Sequence, residues 1–530
     1  MRFDVVLAGG SVLDGSGAAA FVADVGIRGD TIEEVGELGN AEALERIDVA
    51  GRCVAPGFID VHTHSDLAPL LDEEHEHLKL ASLRQGVTTE ICGNCGFSVF
   101  PAPRKSRADL QRHVRVLFGP EADAYPTLDD YRHAVERSGL VTNLATLVGH
   151  GTLRAGVVGF ADRRAESSEL RAMREATARA LDDGAVGLSS GLVYAPGSYA
   201  PTEEVIELAR AAAERGRPYV THMRNEADNV DAAIDEALRI GVESGAAVQI
   251  SHHKAAGQKN WGRTAETLAQ IDRARRAGID VTLDVYPYTA GSTILTSLLP
   301  PWANDGGIEA LLGRLGSAET RERIRRDLSR GLERWQRIVE GEEAWENVRI
   351  ATAPRHPAYE GRSVAALAEA EGLDAVDFVA DLLRAEAGRV TVVLSIMAEE
   401  DVQRVLASPL AMIGSDGIPI PGKPHPRWAG TFARVLGRYV RERGLMTLEE
   451  AVHKMTGLSA ERFGLAGRGR VTEGMVADLV VFDPATVEDA ATYYDPLLPP
   501  RGVQHVLVNG RFGVRDGTPT GARAGLFLAA

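Results

Sequence analysis

GFIDVHTHSD, residues 57–66, sets the frame for the whole chain. The apolar run Val54, Phe58, Ile59 and Val61 ends in His62-Thr63-His64, and side chains two apart on an extended strand leave on the same side. Two imidazoles thus emerge together at the end of a buried strand, a geometry that suits a divalent metal. Two turn histidines bonded to backbone or water would read the same way from this stretch alone. The deciding question is whether further ligands arrive at the ends of later strands.

Outward from this stretch, residues 56 to about 465 alternate apolar strand-like segments with amphipathic helical ones. GVTTEICGNCG precedes a helical stretch, and LVTNLATLVGHGTLR reads as a strand followed by a Gly-rich loop. SELRAMREATARALDDG reads as a helix stopped by Gly184, with AVGLSSGL as the next strand. EEVIELARAAAERG leads into RPYVTHMRNE, DAAIDEALRIGVESG into AAVQISHHK, and AETLAQIDRARRAG into IDVTLDVYPYTAG. Helix then apolar strand, repeated, indicates a parallel sheet, and the length favours a closed (β/α)₈ barrel of α/β class. From about Ile294 to Arg389 the rhythm changes: a Pro-Pro-Trp break at Pro300–Trp302 precedes a run of charged helix. This stretch is expected to be an inserted, mostly helical segment over the barrel mouth, and an elongated loop without its own core is the alternative. LAMIGSDG resumes the barrel.

Both ends of the chain are β-rich. Residues 1–55 carry the runs FDVVLAGG, SVLDG, ADVGIRGDTIEEVG and RIDVAGRCVAPG, and residues 466–530 carry ADLVVFDP, HVLVNGRF and GVRDG. Short strands cannot bury a face alone, so the two ends are expected to pair into one small sheet domain.

In such a barrel, chemistry sits at the strand ends. Those positions hold His62 and His64, Cys95 in GNCG, His222 in VTHMRNE, His252 or His253 in ISHHK, and Asp416 in IGSDG. Each has an ordinary alternative: Cys95 as a buried structural thiol, His222 as a core histidine, Asp416 as a helix cap. Cys92 and Cys95 also make a CxxC, but no second CxxC exists to complete a zinc knuckle. Five such coincidences at successive strand ends are much less probable than one shared metal site, and thiolate, imidazole and carboxylate together suit zinc. Among the other histidines, His75, His77, His113 and His133 are assigned to solvated surface.

Composition narrows the class. The chain has 530 residues, 44% hydrophobic and 25% charged, a profile of soluble globular proteins large enough for a barrel with added domains. A net charge of −17 disfavours nucleic acid and anionic membranes as partners. Three cysteines exclude a disulfide scaffold, no signal-peptide-like start and no membrane-length apolar run is present, and a cytoplasmic location is expected.

PGFIDVHTHSD, GNCGFS, GHGTLR, THMRNEAD, SHHK, DVYPY and IGSDG followed by HPR resemble the N-acyl-D-amino-acid deacylases, the D-aminoacylase branch of the amidohydrolase superfamily. The resemblance spans almost the entire chain. It implies a TIM-like barrel with a small β-sandwich from both termini, an inserted subdomain, and zinc. Carried over, Cys95, His222 and His252 would hold the tightly bound metal, while His62, His64 and Asp416 would line a second, weaker position. Asp416 would be the proton-transfer carboxylate. Arg427 would clamp the substrate carboxylate, as a planar bidentate donor can, with Lys254 and Tyr286 or Tyr288 as helpers. The implied reaction is hydrolysis of N-acyl-D-amino acids to a carboxylate and a free D-amino acid. A cyclic amidohydrolase of hydantoinase or dihydroorotase type and a non-catalytic metal-binding scaffold are the alternatives.

Overall fold

The computed structural model describes residues 2–529 apart from 120, 333 and 334. At its centre eight parallel strands form a ring. Phe58–Asp60, Val87–Cys92 and Asn143–Thr146 pair in that order, with Val148–Gly149 continuing the third past Leu147. Leu188–Gly191, Tyr219–His222, Val248–Ile250, Val281–Val285 and Ala411–Ile413 follow, every pair parallel. The ring closes where Asp416 N donates to His62 O at 2.7 Å and His64 N to Gly417 O at 2.9 Å. Closure of the backbone thus sets the last ligand candidate against the first two.

Helices Ser167–Asp182, Thr202–Ala213, Val230–Ser244 and Thr264–Arg276 pack outside the strands through their buried apolar faces. GHGTLR is not a loop: His150–Val157 is a helix that begins directly at the strand end. No helix among the described residues is long and apolar enough to cross a membrane.

Strands from both ends build one nine-stranded sheet, joined where Cys53–Pro56 pairs antiparallel with Leu479–Phe482. FDVVLAGG and SVLDG are a single strand, Phe3–Val12, whose register shifts between Leu7 and Gly10. Val25, Ile27, Val54, Leu479 and Val481 fill its separate core.

The insertion is largely helical and also carries a small sheet. It opens on the strand Ala290–Ile294 and ends on Thr391–Ser395, which pair antiparallel and are joined by Val348–Thr352. Four helices, Gly307–Arg314, Ala318–Arg330, Val364–Glu371 and Ala375–Ala385, cover this sheet. Leu311, Ile324, Trp345, Ile350, Phe378 and Leu383 form a core distinct from that of the barrel.

Candidate metal centre and substrate chamber

The strand ends bring most of the expected ligands into one buried cluster. Cys95 Sγ lies 3.3 Å from His62 Nε2 and 3.4 Å from His252 Nε2. Asp416 Oδ1 lies 3.4 Å from His62 Nε2 and 3.3 Å from His64 Nε2. His62, Cys95, His252 and Asp416 offer ligand atoms within 4.8 Å of one another, and His222, Glu226 and His252 form a second such group. The two groups share His252, so the donors make one continuous cluster rather than two separate trios. Cys95, His252 and Asp416 all have left-handed backbone, with φ of 54°, 33° and 52°. Non-glycine residues there carry strain, of a kind that persists at functional sites.

Neighbours fix each ring. His62 Nδ1 meets Asp284 Oδ1 at 3.2 Å, and His252 Nδ1 lies 2.9 Å from Glu226 Oε1, so both Nε2 atoms face Cys95. Carboxylates behind metal-ligating histidines set tautomer and orientation in this way. Burial alone would raise the Cys95 thiol, but His62 and His252 hold it well below the ordinary thiol range. Burial would likewise lower His62, yet Asp284, Cys95 and Asp416 hold it well above its usual value. Nδ1 and Nε2 of His222 and Nδ1 of His64 are buried and find no hydrogen-bond partner among the described residues. Such atoms are costly unless something satisfies them. A divalent cation would do so at His222, and the thiolate, imidazole and carboxylate set fits zinc.

Beside the cluster lies a chamber of about 520 Å³ with the space open to solvent included, lined by His222, His252, Asp416, Lys254 and Tyr286 and by the insertion's Gly291–Thr293. Leu298, Ile338, Leu394 and Ile396 form its apolar wall. Arg427, at the start of helix Arg427–Arg434, places Nη1 2.8 Å from Asp416 Oδ2 and donates from Nη2 to Ser292 O at 3.3 Å. Its guanidinium also lies 4.9 Å from the centre of the Tyr286 ring. Burial would raise the Asp416 carboxyl, but Arg427 and His62 hold it well below the usual carboxylate range.

Several expectations need correction. Tyr288 is not among the residues lining the chamber; its ring packs 5.0 Å from that of His425 and 4.8 Å from the Arg434 guanidinium. Lys254 lines the chamber, but its ammonium is already bonded to both Glu226 oxygens, at 2.8 and 2.9 Å, and lies 2.8 Å from His252 Nδ1. That makes it first a support for His252. His253 faces away, with Nε2 2.8 Å from Thr267 Oγ1. Cys92, as expected of a cysteine outside the ligand set, stands apart with Sγ 3.8 Å from Tyr131 Oη. His113 is not a solvated surface residue: it stacks on Phe97 at 5.1 Å, beside the cluster.

Four important groups carried little signal in the sequence. Glu226 sits four residues after His222 and could have been read as its neighbour. Asp284 lies within strand Val281–Val285, one residue before its end, where an acidic residue in an apolar run is the only local signal. Asp60 Oδ1 accepts from His62 N at 3.2 Å and Ser415 N at 2.8 Å, tying the first strand to the last. His425 Nδ1 accepts from Arg427 N at 3.1 Å while Nε2 lies 2.9 Å from Ala290 O, linking the clamp to the insertion.

Comparisons with known proteins agree with this arrangement. The amidohydrolase family pattern matches residues 45–514. D-aminoacylase of Alcaligenes xylosoxydans xylosoxydans is 41% identical over 99% of this chain and 98% of its own, and N-acyl-D-glutamate deacylase of the same organism is 41% identical over 96% and 93%. A crystal structure of N-acyl-D-glutamate deacylase from Bordetella bronchiseptica, complexed with zinc and a phosphonate mimic of the tetrahedral intermediate, superposes with a TM-score of 0.85 at 38% identity over the full length of both chains. With its ligand cluster at the strand ends and these likenesses along its whole length, the chain belongs to the amidohydrolase family, in the N-acyl-D-amino-acid deacylase branch.

Proposed function

We propose that this chain hydrolyses the amide bond of N-acyl-D-amino acids, with zinc held by Cys95, His222 and His252 and a second, weaker position at His62, His64 and Asp416. The observation that carries this reading is the proximity of Asp416 to both halves of the site: Oδ1 faces the histidines at 3.3 and 3.4 Å and Oδ2 faces Arg427 at 2.8 Å. When bound, zinc supplies Lewis acidity toward the amide carbonyl and makes water a nucleophile near neutral pH.

The chain's own groups do the rest. Arg427 takes the substrate carboxylate as a charge-assisted pair, with Tyr286 against the guanidinium. Asp416 accepts a proton from the attacking water at a carboxylate oxygen and delivers it to the departing nitrogen. Its carboxyl is held low by Arg427. A substrate carboxylate that shares this guanidinium weakens the pull and raises the proton affinity of Asp416 as the substrate seats. Glu226 and Lys254 hold His252 in place, and Leu298, Ile338, Leu394 and Ile396 keep water from the chamber wall. A thiolate ligand needs a reducing compartment, so the cytoplasm is the location we favour. All three cysteines are free and buried.

The test is a paired panel of N-acetyl-D- and N-acetyl-L-amino acids, assayed with zinc and after chelation, on wild type and Asp416→Asn. D-selective hydrolysis lost on chelation is expected, with the variant slowed about 10²–10⁴-fold while retaining zinc. Activity confined to the L series, or to cyclic imides, would overturn the proposal.

A further inference from the structure

A second recess lies beside the reaction chamber, separated from it by Val193, Tyr194 and Ser297, which line both. It spans about 600 Å³ when the space open to solvent at its mouth is included. Val116, Phe160, Ile294, Leu299, Ile308 and Trp335 supply its apolar walls. The dividing Tyr194 ring stands 5.0 Å from the His222 ring and 5.1 Å from Phe97, and its Oη bonds Thr293 Oγ1 at 3.0 Å. One apolar cluster runs without a break from Cys95 through Phe97 to Val116 and Ile294. The recess is therefore walled by side chains that pack against the reacting centre, and Val193, Tyr194 and Ser297 are the residues it shares with the reaction chamber.

Its chemistry is uncharged. Among the described residues lining it, His113 alone titrates near neutrality in its free form, and burial pushes this imidazole down to about 4, leaving it neutral at pH 7. A carboxylate would find no cation there among the described residues. On the deacylase reading, Arg427 takes the substrate carboxylate, and the apolar wall of Leu298, Ile338, Leu394 and Ile396 in the reaction chamber is available to its side chain. What remains is the group on the far side of the scissile carbonyl.

Resting on the deacylase reading above, we infer that this second recess is an acyl site, which receives apolar acyl groups longer than acetyl from N-acyl-D-amino acids. A butanoyl, hexanoyl or phenylacetyl group would pass Tyr194 and lie between Phe160, Ile308 and Trp335. Each methylene taken out of water there favours the bound transition state by about three- to fourfold.

The experiment compares kcat/KM for N-acetyl-, N-butanoyl- and N-hexanoyl-D-leucine. A rise of about tenfold from acetyl to butanoyl, and a further rise to hexanoyl, is expected. Ile308→Trp and Val116→Phe, which fill the recess from opposite walls, should abolish that rise while leaving N-acetyl-D-leucine within about twofold of wild type; thermal melts confirm that each variant is folded. A flat or falling series in wild type, or a rise that survives both folded variants, overturns the acyl site while hydrolysis of N-acetyl-D-leucine leaves the deacylase reading intact. Failure to cleave any N-acyl-D-amino acid, acetyl included, strikes the underlying reading instead and removes the basis of the inference with it.

Discussion

His252 Nδ1 lies 2.9 Å from Glu226 Oε1, and Lys254 Nζ closes the triangle at 2.8 Å from both atoms. Three buried polar groups from two strand ends thereby fix the direction of His252 Nε2 toward Cys95. Burial would raise Glu226, but His222, Lys254 and His252 hold it far below its usual range, so it is an anion at any working pH. Glu226→Gln removes that charge and leaves Lys254 poorly compensated. Zinc affinity should fall about 10- to 100-fold, the loss typical of an outer partner of a metal-bound histidine. Titration against a competing chelator checks this, and an affinity within threefold of wild type would mean that Glu226 does not orient the ligand.

Gly191, at the end of strand Leu188–Gly191, is pressed against the cysteine. A Cβ there would stand 2.0 Å from Cys95 O, a backbone atom that cannot swing aside. Cys95 already has a left-handed backbone, so any displacement moves its thiol off the cluster. Gly191→Ala should lower stability by about 1–3 kcal/mol, as overpacked sites do, and reduce the zinc content of purified protein. Calorimetry with metal analysis reads both; a variant that melts like wild type with full zinc would show that the contact relaxes without consequence.

The barrel was legible in the sequence because two signals coincide at its strand ends: an apolar run with period two, and a His, Cys or Asp directly after it. His62, His64, Cys95, His222, His252 and Asp416 all stand out in that way. Glu226 and Asp284 do not, since their role comes from contacts made across strands, Glu226 with His252 and Asp284 with His62. Carboxylates are too common for such pairings to show locally. The insertion's sheet was hidden for a related reason. AGSTI at 290–294 has a weak strand pattern and pairs only with residues 391–395, beyond a long charged helical stretch. His113 misled because its helix is amphipathic with charged residues on its outer face, while the rings that half-bury it, Phe97 and Phe160, come from other segments. Tyr286 and Tyr288 share one face by strand periodicity, but the strand ends at Val285, so that periodicity no longer governs them.

Arg427 acts on Asp416 as well as on substrate, and the two effects separate by pH. Asp416 works as the carboxylate, so activity is present above its pKa and is lost as pH falls through it. Arg427 depresses that pKa, and Arg427→Met removes the cation, so the pKa rises and the acid limb of kcat/KM moves to higher pH. Loss of the carboxylate clamp should also cut kcat/KM by at least about 30-fold at the optimum, as for other truncated buried charge pairs. A pH–rate profile reads both effects. An unmoved acid limb would show that the 2.8 Å pair does not tune the base.

Trp345 tests whether the insertion is a folding unit of its own. The ring is 1% exposed within a core that is distinct from the barrel's, alongside Val348, Ile350 and Phe378. Trp345→Ala should cost about 3–5 kcal/mol. If the two cores are thermodynamically separate, that loss falls on the insertion: amide exchange should quicken in Val348–Thr352 and Ala375–Ala385 while Val248–Ile250 and Val281–Val285 keep their protection. The chamber then suffers through Ser292 and Leu394, which the insertion's own strands carry, so KM should rise more than kcat falls. Equal loss of protection in the barrel strands would show instead that the metal-bearing ring and the insertion unfold as one.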